Sequence, residues 1–505
     1  MSKTALADEH GGCVLSLGQR VDLAGKRLHF VGIGGCGMSG LALMASRAGA
    51  VCSGTDNTDS DVLDQLRTDG IEVQCAQTAS SVPANCDLMV VSAAIKPDHP
   101  EVAEAQRRGV GIIKYAQLLG RLMIGRIGVA VAGTHGKSTT TSLLCHVLIE
   151  AGLDPSFIVG ANCRQIGGGS RVGADAGPLV AEACEFDRSF HSFHPAHAVV
   201  LNVEEDHLDV YSGIDEIVES FAVFARKVPR DGSLLIQHES PHRQAITAGL
   251  ECPISTIGQD PAADWRVELD APPDGCEAER SVGTTVRLHR AGRAVASWSN
   301  PLPGEHMAYN AAVAAVTAHR LGAAWDDIAS AIESFGGLDR RMQLLGRREL
   351  AAGAGAGAGP LLKQAHITVV DDYGHHPTEI DTTLRALRRH HEPRRLICVF
   401  QPHQHSRTRF LLEQFAASFS QADVVIVPHI YFVRDSETER HAVRAADLVD
   451  RLRKQGVQAM HLYPFDAIVE QLELMVRDGD LLVTMGAGDV WRVGHDFMRG
   501  AASPS

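Results

Sequence analysis

The sequence predicts an α/β protein of three domains, each built on a mainly parallel β-sheet. Short apolar runs that are typical of buried strands alternate with helical patterns along most of the 505 residues. A glycine-rich turn follows the first strand of the first block, and a Gly-Lys-Ser loop follows the first strand of the second block. At roughly 150 residues per domain, the length is sufficient for three domains.

The first domain is predicted over residues 20–125. Residues 26–32 and 88–92 read as strands of a parallel α/β unit. The run 32–37 contains the G-x-G-x-x-G spacing of a nucleotide-binding turn, and Asp56 lies at the distance typical of a ribose contact. This spacing indicates only that backbone can approach a pyrophosphate, so NAD, a UDP-sugar and a turn without a ligand all remain open.

The second domain is predicted over residues 126–345 and contains the most informative motif. The apolar run 127–132 reads as a buried strand, the run Gly-Thr-His-Gly-Lys-Ser-Thr follows at 133–139, and a helical pattern begins there. In this context backbone N–H groups and a helix N-terminus bind phosphates, Lys137 reaches the β- and γ-phosphates, and Ser138 holds Mg²⁺. Because the first glycine of the general spacing is missing, the motif predicts ATP use in a family with a short phosphate loop.

Carboxylates follow two later strands of the second domain. Glu182 comes after the strand-like run 178–181, and His207 lies in the acidic segment 202–209 that ends the strand-like run 198–203. Carboxylates at strand ends beside a phosphate loop are where Mg²⁺ ligands are needed, although a solvated acidic turn has the same composition. A histidine is unusual there, since Mg²⁺ prefers oxygen ligands.

The third domain is predicted over residues 346–500, with polar runs at 371–377 and 401–409 that end two of its strands. Four histidines in these runs raise the alternative of a zinc site, but their spacing matches no zinc pattern and no cysteine joins them. Loops rich in His, Arg and Asp at strand ends better suit an anionic or zwitterionic substrate.

The polar stretch 261–299 predicts an antiparallel insertion, and the Ala/Gly run at 351–358 predicts a flexible loop.

The composition argues against several classes of function. A net charge of −14 disfavours a nucleic-acid partner, which needs clustered Lys and Arg. The 11 cysteines contain no C-x-x-C pair and do not indicate a secreted disulfide scaffold. Residues 1–19 lack the apolar core of a signal peptide, and no apolar run approaches membrane-spanning length. We therefore expect a cytoplasmic protein that binds small molecules and does not insert into a membrane.

In chain order, these motifs resemble the ATP-dependent Mur ligases of peptidoglycan synthesis. The resemblance spans residues 26–495 and includes the phosphate loop, the Glu182 segment, the run 202–207 and the run 306–310. The glycine-rich turn, the Asp-Asp-Tyr-Gly-His-His-Pro run and the Phe-Gln-Pro-His run at 400–403 are similar to the branch that adds the first amino acid.

The resemblance implies a Rossmann-like N-terminal domain that binds UDP, a central P-loop-type ATPase domain and a Rossmann-like C-terminal domain. It also implies that UDP-N-acetylmuramate and L-alanine are joined while ATP is converted to ADP and phosphate. The substrate carboxylate is expected to attack the γ-phosphate, and the amine of alanine is then expected to attack the resulting acyl phosphate. Catalysis is expected to depend on positioning and charge neutralisation.

The resemblance also implies the role of each site residue. Lys137 and His207 are expected to be catalytic, and Mg²⁺ is expected at Ser138, Glu182 and His207. ATP is expected to contact Gly133, Thr134, His135, Gly136, Lys137, Ser138, Thr139, Asn310 (adenine), and Asp371 or Asp372 (ribose). The UDP-sugar is expected at Gly34, Gly35, Gly37, Asp56 and Ser92. The amino acid is expected at Tyr373, His375, Gln404 and Arg407.

One of these positions departs from the family pattern. The branch commonly has arginine after Phe-Gln-Pro-His, where this chain has Gln404. Glutamine donates hydrogen bonds but cannot form the bidentate ionic pair of a guanidinium with a carboxylate, so Arg407 and Arg409 would have to suffice. The amino acid therefore remains open between L-alanine, glycine and L-serine.

Other function classes remain as alternatives. A murein tripeptide recycling ligase shares the N-terminal domain but should lack the Phe-Gln-Pro-His motif at 400–403. A folylpolyglutamate synthase lacks the N-terminal domain. An NAD-dependent oxidoreductase leaves the phosphate loop unexplained. A non-catalytic nucleotide-binding regulator requires damaged Mg²⁺ ligands, whereas Ser138, Glu182 and His207 are all present.

Overall fold

The computed structural model describes residues 21–270, 284–350 and 365–500, apart from residues 93 and 434. Within these residues the chain forms three β-sheets in chain order with helices between their strands, which confirms the predicted α/β class. The Ala/Gly run at 351–358 and part of the predicted insertion lie outside the described residues. In the described part of the chain, every helix is too short or too polar to cross a membrane.

The N-terminal sheet has five parallel strands. They are β1 (Arg27–Val31), β2 (Val51–Thr55), β3 (Glu72–Gln74), β4 (Leu88–Val91) and β5 (Gly111–Lys114). The connecting helices are α1 (Cys36–Arg47), α2 (Asp61–Thr68), α3 (Pro100–Arg107) and α4 (Tyr115–Met123). The strand order is β3-β2-β1-β4-β5, so the winding direction reverses between β1 and β4. In such sheets ligands bind at the carboxyl ends of the strands beside this reversal, which is where the glycine-rich turn lies.

The central sheet has ten strands. They are β6 (Gly128–Ala132), β7 (Ser156–Ile158), β8 (Ser170–Arg171), β9 (Leu179–Ala183), β10 (His197–Val200), β11 (Ser233–Gln237), β12 (Ile254–Gly258), β13 (Trp265–Asp270), β14 (Thr284–Arg290) and β15 (Arg293–Asn300). The helices are α5 (Lys137–Glu150), α6 (Ile214–Ala225), α7 (Arg243–Thr247), α8 (Glu305–Arg320) and α9 (Trp325–Glu333). The strand order of this sheet places β6 between β10 and β9, and every residue of β6 is buried, as a central parallel strand requires.

The predicted antiparallel insertion is present as β13, β14 and β15, and it continues the central sheet. Strand β13 pairs in parallel with β12, and the antiparallel pairing begins between β13 and β14. On one face of this sheet, helices α5 and α8 lie side by side, and α8 contributes alanines to the shared core. Small side chains let two helices approach closely, so the start of α5 lies beside the first turns of α8.

The C-terminal sheet has six strands. They are β16 (Gln343–Glu349), β17 (His366–Asp372), β18 (Leu396–Phe400), β19 (Val424–Val427), β20 (Gln458–His461) and β21 (Leu481–Met485). The helices are α10 (Pro377–His391), α11 (His405–Phe410), α12 (Leu412–Ala417), α13 (Glu437–Arg440), α14 (Ala445–Lys454), α15 (Phe465–Met475) and α16 (Trp491–Arg499). The order is β16-β17-β21-β18-β19-β20, with β16 antiparallel and the others parallel. Two separate hydrophobic cores show that helices cover both faces.

Candidate functional site

The phosphate loop connects β6 to α5 and contains two glycines with positive φ. Gly133 has φ +147° and Gly136 has φ +82°, values that favour glycine over other residues. A Cβ atom placed on Gly136 would lie 2.7 Å from Asn310 Oδ1 of α8. The loop therefore runs directly against the residue that the family resemblance predicts to contact adenine.

Lys137 begins α5 and is held by Glu185, which the sequence analysis did not single out. The ammonium group donates hydrogen bonds to both carboxylate oxygens of Glu185, at 2.9 and 3.1 Å, and to the carbonyls of Gly133 and Thr134, at 2.5 and 3.1 Å. Burial alone would lower the pKa of Lys137, but the Glu185 charge outweighs it and raises that pKa. The lysine is thus a fixed cation at the mouth of the loop, where phosphate charge needs neutralisation.

Ser138 and Glu182 lie together, as the sequence predicts for two Mg²⁺ ligands. The Ser138 hydroxyl donates to Glu182 Oε1 at 3.2 Å, and the N–H of Gly160 donates to Oε2 at 2.8 Å. The hydroxyl and carboxylate oxygens form the donor set that a hard cation prefers.

His207 has a ring nitrogen that is available to a ligand. Its Nδ1 is buried and has no hydrogen-bond partner among the described residues, and its Nε2 lies 3.8 Å from Glu185 Oε1. The backbone is held at φ +54°, with the N–H bonded to Asp206 Oδ1 at 2.7 Å. A buried ring nitrogen without a partner among the described residues can take a ligand, and the oxygen donors of Ser138 and Glu182 suit the Mg²⁺ that the phosphate loop implies.

A cavity of about 420 Å³ lies between the central and C-terminal domains, beside the phosphate loop. Gly136, Thr139, Asn310 and Asp372 line it. The Asp372 carboxylate accepts the N–H groups of Met342 and Gly374 at 2.8 and 2.7 Å, and its burial raises its pKa to about 6. The cavity brings together the residues predicted for adenine, ribose and phosphates.

The two neighbouring aspartates that the sequence offered for the ribose lie on opposite faces of β17. Asp372 faces the cavity, whereas Asp371 is buried and bonded to Thr484 Oγ1 at 2.6 Å and Arg340 Nε at 3.2 Å. Alternate residues of a strand face opposite sides of the sheet, so only one of the pair can line the cavity. The structure therefore favours Asp372 for the ribose.

Arg341 and Glu379 are among the charged residues of the cavity wall that the sequence did not point to. Arg341 Nη1 lies 3.5 Å from Glu379 Oε1, and its guanidinium lies 5.0 Å from the centre of the Tyr373 ring. Arg341 belongs to a short segment between α9 and β16, where no periodic pattern marks a site. Its only sequence signal is the adjacent pair of arginines just before the third domain.

Arg407 is engaged with an acidic residue of the central domain. Its Nε donates to Asp206 Oδ1 at 2.9 Å, its Nη2 lies 2.8 Å from the same oxygen, and its Nη1 lies 3.3 Å from His403 Nδ1. Burial would raise the pKa of Asp206, but the guanidinium and the nearby histidines hold it well below its usual range. This pair joins the segment of His207 to the third domain.

Tyr373, His375 and Gln404 surround the same region. His375 Nδ1 lies 3.2 Å from the Tyr373 carbonyl, and burial lowers the pKa of His375 to about 4, so its ring is neutral at pH 7. Gln404 is 3% exposed and, with Asp206, His207 and Arg407, lines a cavity of about 10 Å³. Two contacts connect these residues to the central domain: Arg407 pairs with Asp206, and Glu379, which accepts the N–H of His375, pairs with His135 of the phosphate loop.

The residues predicted for the UDP-sugar lie in the first domain. The N–H of Gly34 donates to Asp56 Oδ2 at 2.9 Å, and a Cβ atom on Gly32 would lie 3.5 Å from Ser92 Oγ. The turn is therefore closed onto the ends of β2 and β4, beside the reversal of strand order. The five predicted residues at this edge are Gly34, Gly35, Gly37, Asp56 and Ser92.

The zinc alternative receives little support. In the described part of the chain, His135, Glu204 and His376 form the group of three possible ligand residues whose ligand atoms all lie within 4.8 Å of one another. His376 Nδ1 accepts the N–H of Thr378 at 3.3 Å, and its Nε2 lies 3.0 Å from the Glu205 carbonyl. Because both nitrogens of His376 are engaged, the geometry favours a hydrogen-bonded histidine over a zinc ligand.

Comparisons with known proteins agree along most of the chain. Three family descriptions match: "Mur ligase family, catalytic domain" at 27–126, "Mur ligase middle domain" at 131–318 and "Mur ligase, glutamate ligase domain" at 360–488. A UDP-N-acetylmuramate–L-alanine ligase from Caldanaerobacter subterraneus is 38% identical, covering 94% of this chain and 97% of the relative. One from Lachnospira eligens is 37% identical, covering 94% and 98%.

Solved structures show the same fold. UDP-N-acetylmuramate–alanine ligase from Thermotoga maritima superimposes with a TM-score of 0.72 at 24% identity, covering 94% of this chain and 98% of that one. A murein peptide ligase from Psychrobacter arcticus gives a TM-score of 0.67 at 24% identity, covering 95% and 100%. The fold alone therefore does not distinguish an alanine ligase from a murein peptide ligase. The sequence relatives reported above are alanine ligases.

Proposed function

Because this chain belongs to the Mur ligase family, we propose that it is an ATP-dependent ligase that joins UDP-N-acetylmuramate to L-alanine. ATP becomes ADP and phosphate, and the product is UDP-N-acetylmuramoyl-L-alanine, a peptidoglycan precursor. The observation that carries the proposal is the 420 Å³ cavity, because it lies beside the phosphate loop and is lined by Asn310, Arg341 and Asp372. ATP and a nucleotide-linked sugar are cytoplasmic metabolites, so we also propose that the enzyme works there.

In this proposal ATP lies across the junction of the central and C-terminal domains. Asn310 contacts adenine and Asp372 contacts the ribose, while the N–H groups at the start of α5 and Lys137 bind the phosphates. Mg²⁺, held by Ser138, Glu182 and His207, would supply additional positive charge at the phosphates. Arg341 faces the same cavity and can add a guanidinium to this set.

The chemical steps follow from the poor reactivity of a carboxylate. A carboxylate oxygen of UDP-N-acetylmuramate attacks the γ-phosphorus, and the bond to the β-phosphate oxygen breaks to release ADP. The neutral amine of alanine then attacks the acyl carbon, and the C–O bond to phosphate breaks. Phosphate leaves with the former carboxylate oxygen, and the amine loses a proton as the amide forms. Lys137 offsets the charge that develops on the phosphates in the first step.

The amino acid is bound by the third domain in this scheme. Arg407 supplies a guanidinium for the carboxylate, and the neutral ring of His375 and the amide of Gln404 supply hydrogen-bonding groups. The UDP part is bound by the first domain, so the substrates approach from different domains. Closure of the domains around them is expected to precede the reaction.

The proposal is tested by phosphate release from ATP with UDP-N-acetylmuramate and a panel of amine substrates. We expect L-alanine to give the highest kcat/KM, with glycine lower by about 10–200-fold for the missing methyl group. The kcat/KM for L-serine, compared with that for L-alanine, measures how Gln404 affects the choice of amino acid. Release of phosphate only with a murein tripeptide would show a recycling ligase instead, and release independent of UDP-N-acetylmuramate would contradict the carboxylate substrate.

A further inference from the structure

The side chain of His135, in the phosphate loop, contacts acidic groups of two domains. Its Nε2 lies 3.5 Å from Glu204 Oε2 of the central domain, and its Nδ1 lies 3.4 Å from Glu379 Oε1 of the C-terminal domain. The ring is 13% exposed and its centre lies 4.7 Å from that of His376. An imidazolium has one N–H for each of these carboxylates.

Glu379 also contacts the loop that carries the predicted amino-acid residues. Its Oε2 accepts the N–H groups of His375 and His376 at 3.0 and 3.3 Å, which caps the start of α10. Its Oε1 faces His135 and Arg341. A single carboxylate therefore joins the phosphate loop to the 373–376 loop.

Glu204 makes the matching connections from the central domain. Its Oε2 accepts the Thr378 hydroxyl at 2.6 Å, and its backbone N–H donates to Thr134 Oγ1 at 2.9 Å. The phosphate loop, the segment after β10 and the start of α10 thus meet around the ring of His135.

We propose that His135, Glu204 and Glu379 form an interdomain ion-pair bridge that positions the 373–376 loop for the amino acid when the phosphate loop holds ATP. This inference rests on the proposed ligase function and extends it. His135 and Glu379 are positioning residues in this scheme, because their side chains act through the backbone of His375 and His376. Loss of the bridge weakens amino-acid binding more than it weakens binding of UDP-N-acetylmuramate, which lies in another domain.

The bridge is charged at neutral pH. The groups facing His135 are Glu204, Glu379 and His376, and Arg341 contacts the same Glu379 oxygen that His135 contacts. Burial alone would lower the pKa of His135, but the two glutamates outweigh it and raise this pKa to about 9. The folded pKa lies above the ordinary value, so the positive charge is present at pH 7 and is lost as pH rises through 9.

The decisive variant is Glu379→Gln. Glutamine serves at the third position of a capping box as glutamate does, so α10 keeps its cap while the charge is removed. We expect the KM for L-alanine to rise on the order of tenfold. We also expect the alkaline limb of kcat/KM for alanine to move to lower pH by about 1–3 units, the shift that one neighbouring carboxylate produces.

A matched control exists in the same domain. Asp447 caps α14 in the same way, accepting the N–H of Arg444 at 2.8 Å while pairing with the Arg444 guanidinium at 3.2 Å. Asp447→Asn therefore removes a capping charge remote from the cavity. We expect it to keep the wild-type pH profile and KM values.

A second measurement does not depend on activity. In protein labelled with ¹³C at histidine Cε1, the signal lost in His135→Gln identifies His135, and its titration midpoint is expected near pH 9. In Glu379→Gln the midpoint is expected to fall. A wild-type midpoint near 6.5, or an unchanged pH profile and alanine KM in Glu379→Gln, would overturn the bridge. Stoichiometric Zn²⁺ binding lost in His376→Gln would overturn it in favour of a metal site. Failure of wild-type ligation would instead refute the proposed function.

Discussion

Lys137→Ala is expected to remove activity and also to destabilise the central domain. Glu185 is 3% exposed, and the lysine is the cation that bonds both of its carboxylate oxygens. Removing one partner of a buried ion pair costs about 3–5 kcal/mol, because the other charge stays buried without compensation. Loss of the lysine at the phosphates is expected to lower kcat by at least about 10²–10³-fold, the effect of removing one electrostatic donor.

The stability cost of losing Lys137 is checked with a double-mutant cycle and with a control variant of an exposed lysine. Lys137→Ala, Glu185→Gln and the double variant are compared by chemical unfolding, with an expected coupling of about 3 kcal/mol. The control is Lys114→Ala, which breaks the pair between Lys114 and Asp187 at 2.6 Å, where the side chains are 57% and 42% exposed. An exposed pair contributes about 0.2–1 kcal/mol, so the two lysines should differ several-fold.

Ligand binding separates the catalytic role from the structural one. Calorimetry with UDP-N-acetylmuramate is expected to give nearly the wild-type affinity in Lys137→Ala, because the first domain binds it. If Lys137→Ala costs no more stability than Lys114→Ala, the buried-pair argument fails. If affinity for UDP-N-acetylmuramate falls in parallel with activity, the assignment of the two sites to separate domains is wrong.

Three further predictions concern the cavity and the amino-acid region. Gly136→Ala forces φ +82° on a residue whose Cβ would lie only 2.7 Å from Asn310 Oδ1. We therefore expect about 1–2 kcal/mol of strain and weaker binding of a fluorescent ATP analogue. Wild-type affinity for the analogue would contradict the close approach of the loop to Asn310. Gln404→Arg is expected to lower the KM for the amino acid, and an unchanged or raised KM would mean that this side chain does not meet the carboxylate. Asp372→Asn is expected to raise the KM for ATP. Since burial raises the pKa of Asp372 to about 6, the wild-type carboxylate is charged above that pH, and the variant should lose this step from the acid limb; a retained step would assign it to another group.

The parts of the fold that depend on local pattern were predictable from the sequence. The apolar runs at 26–32, 88–92 and 127–132 predicted β1, β4 and β6 to within a residue at each end, because central parallel strands are buried on both faces. The antiparallel pattern of the insertion was clear, but its junction with β12 depends on strand order, which local sequence does not encode.

The contacts between distant segments were not predictable in the same way. Arg407 and Asp206 are 201 residues apart and meet only when two domains dock. The same docking brings Glu379 to His135, so no spacing rule could have identified Glu379. The choice between Asp371 and Asp372 depends on which face of β17 covers the cavity. The sequence therefore indicated the chemical groups, and the packing of the domains determines which of them meet.

The central claim is that the phosphate loop directs ATP to a carboxylate, and isotope transfer tests it most directly. UDP-N-acetylmuramate labelled with ¹⁸O in its carboxylate is incubated with ATP and L-alanine, and the released phosphate is analysed by mass spectrometry. If the carboxylate attacks the γ-phosphorus, each phosphate released carries one oxygen from the labelled carboxylate. Phosphate without ¹⁸O, formed together with the amide product, would contradict the acyl-phosphate route.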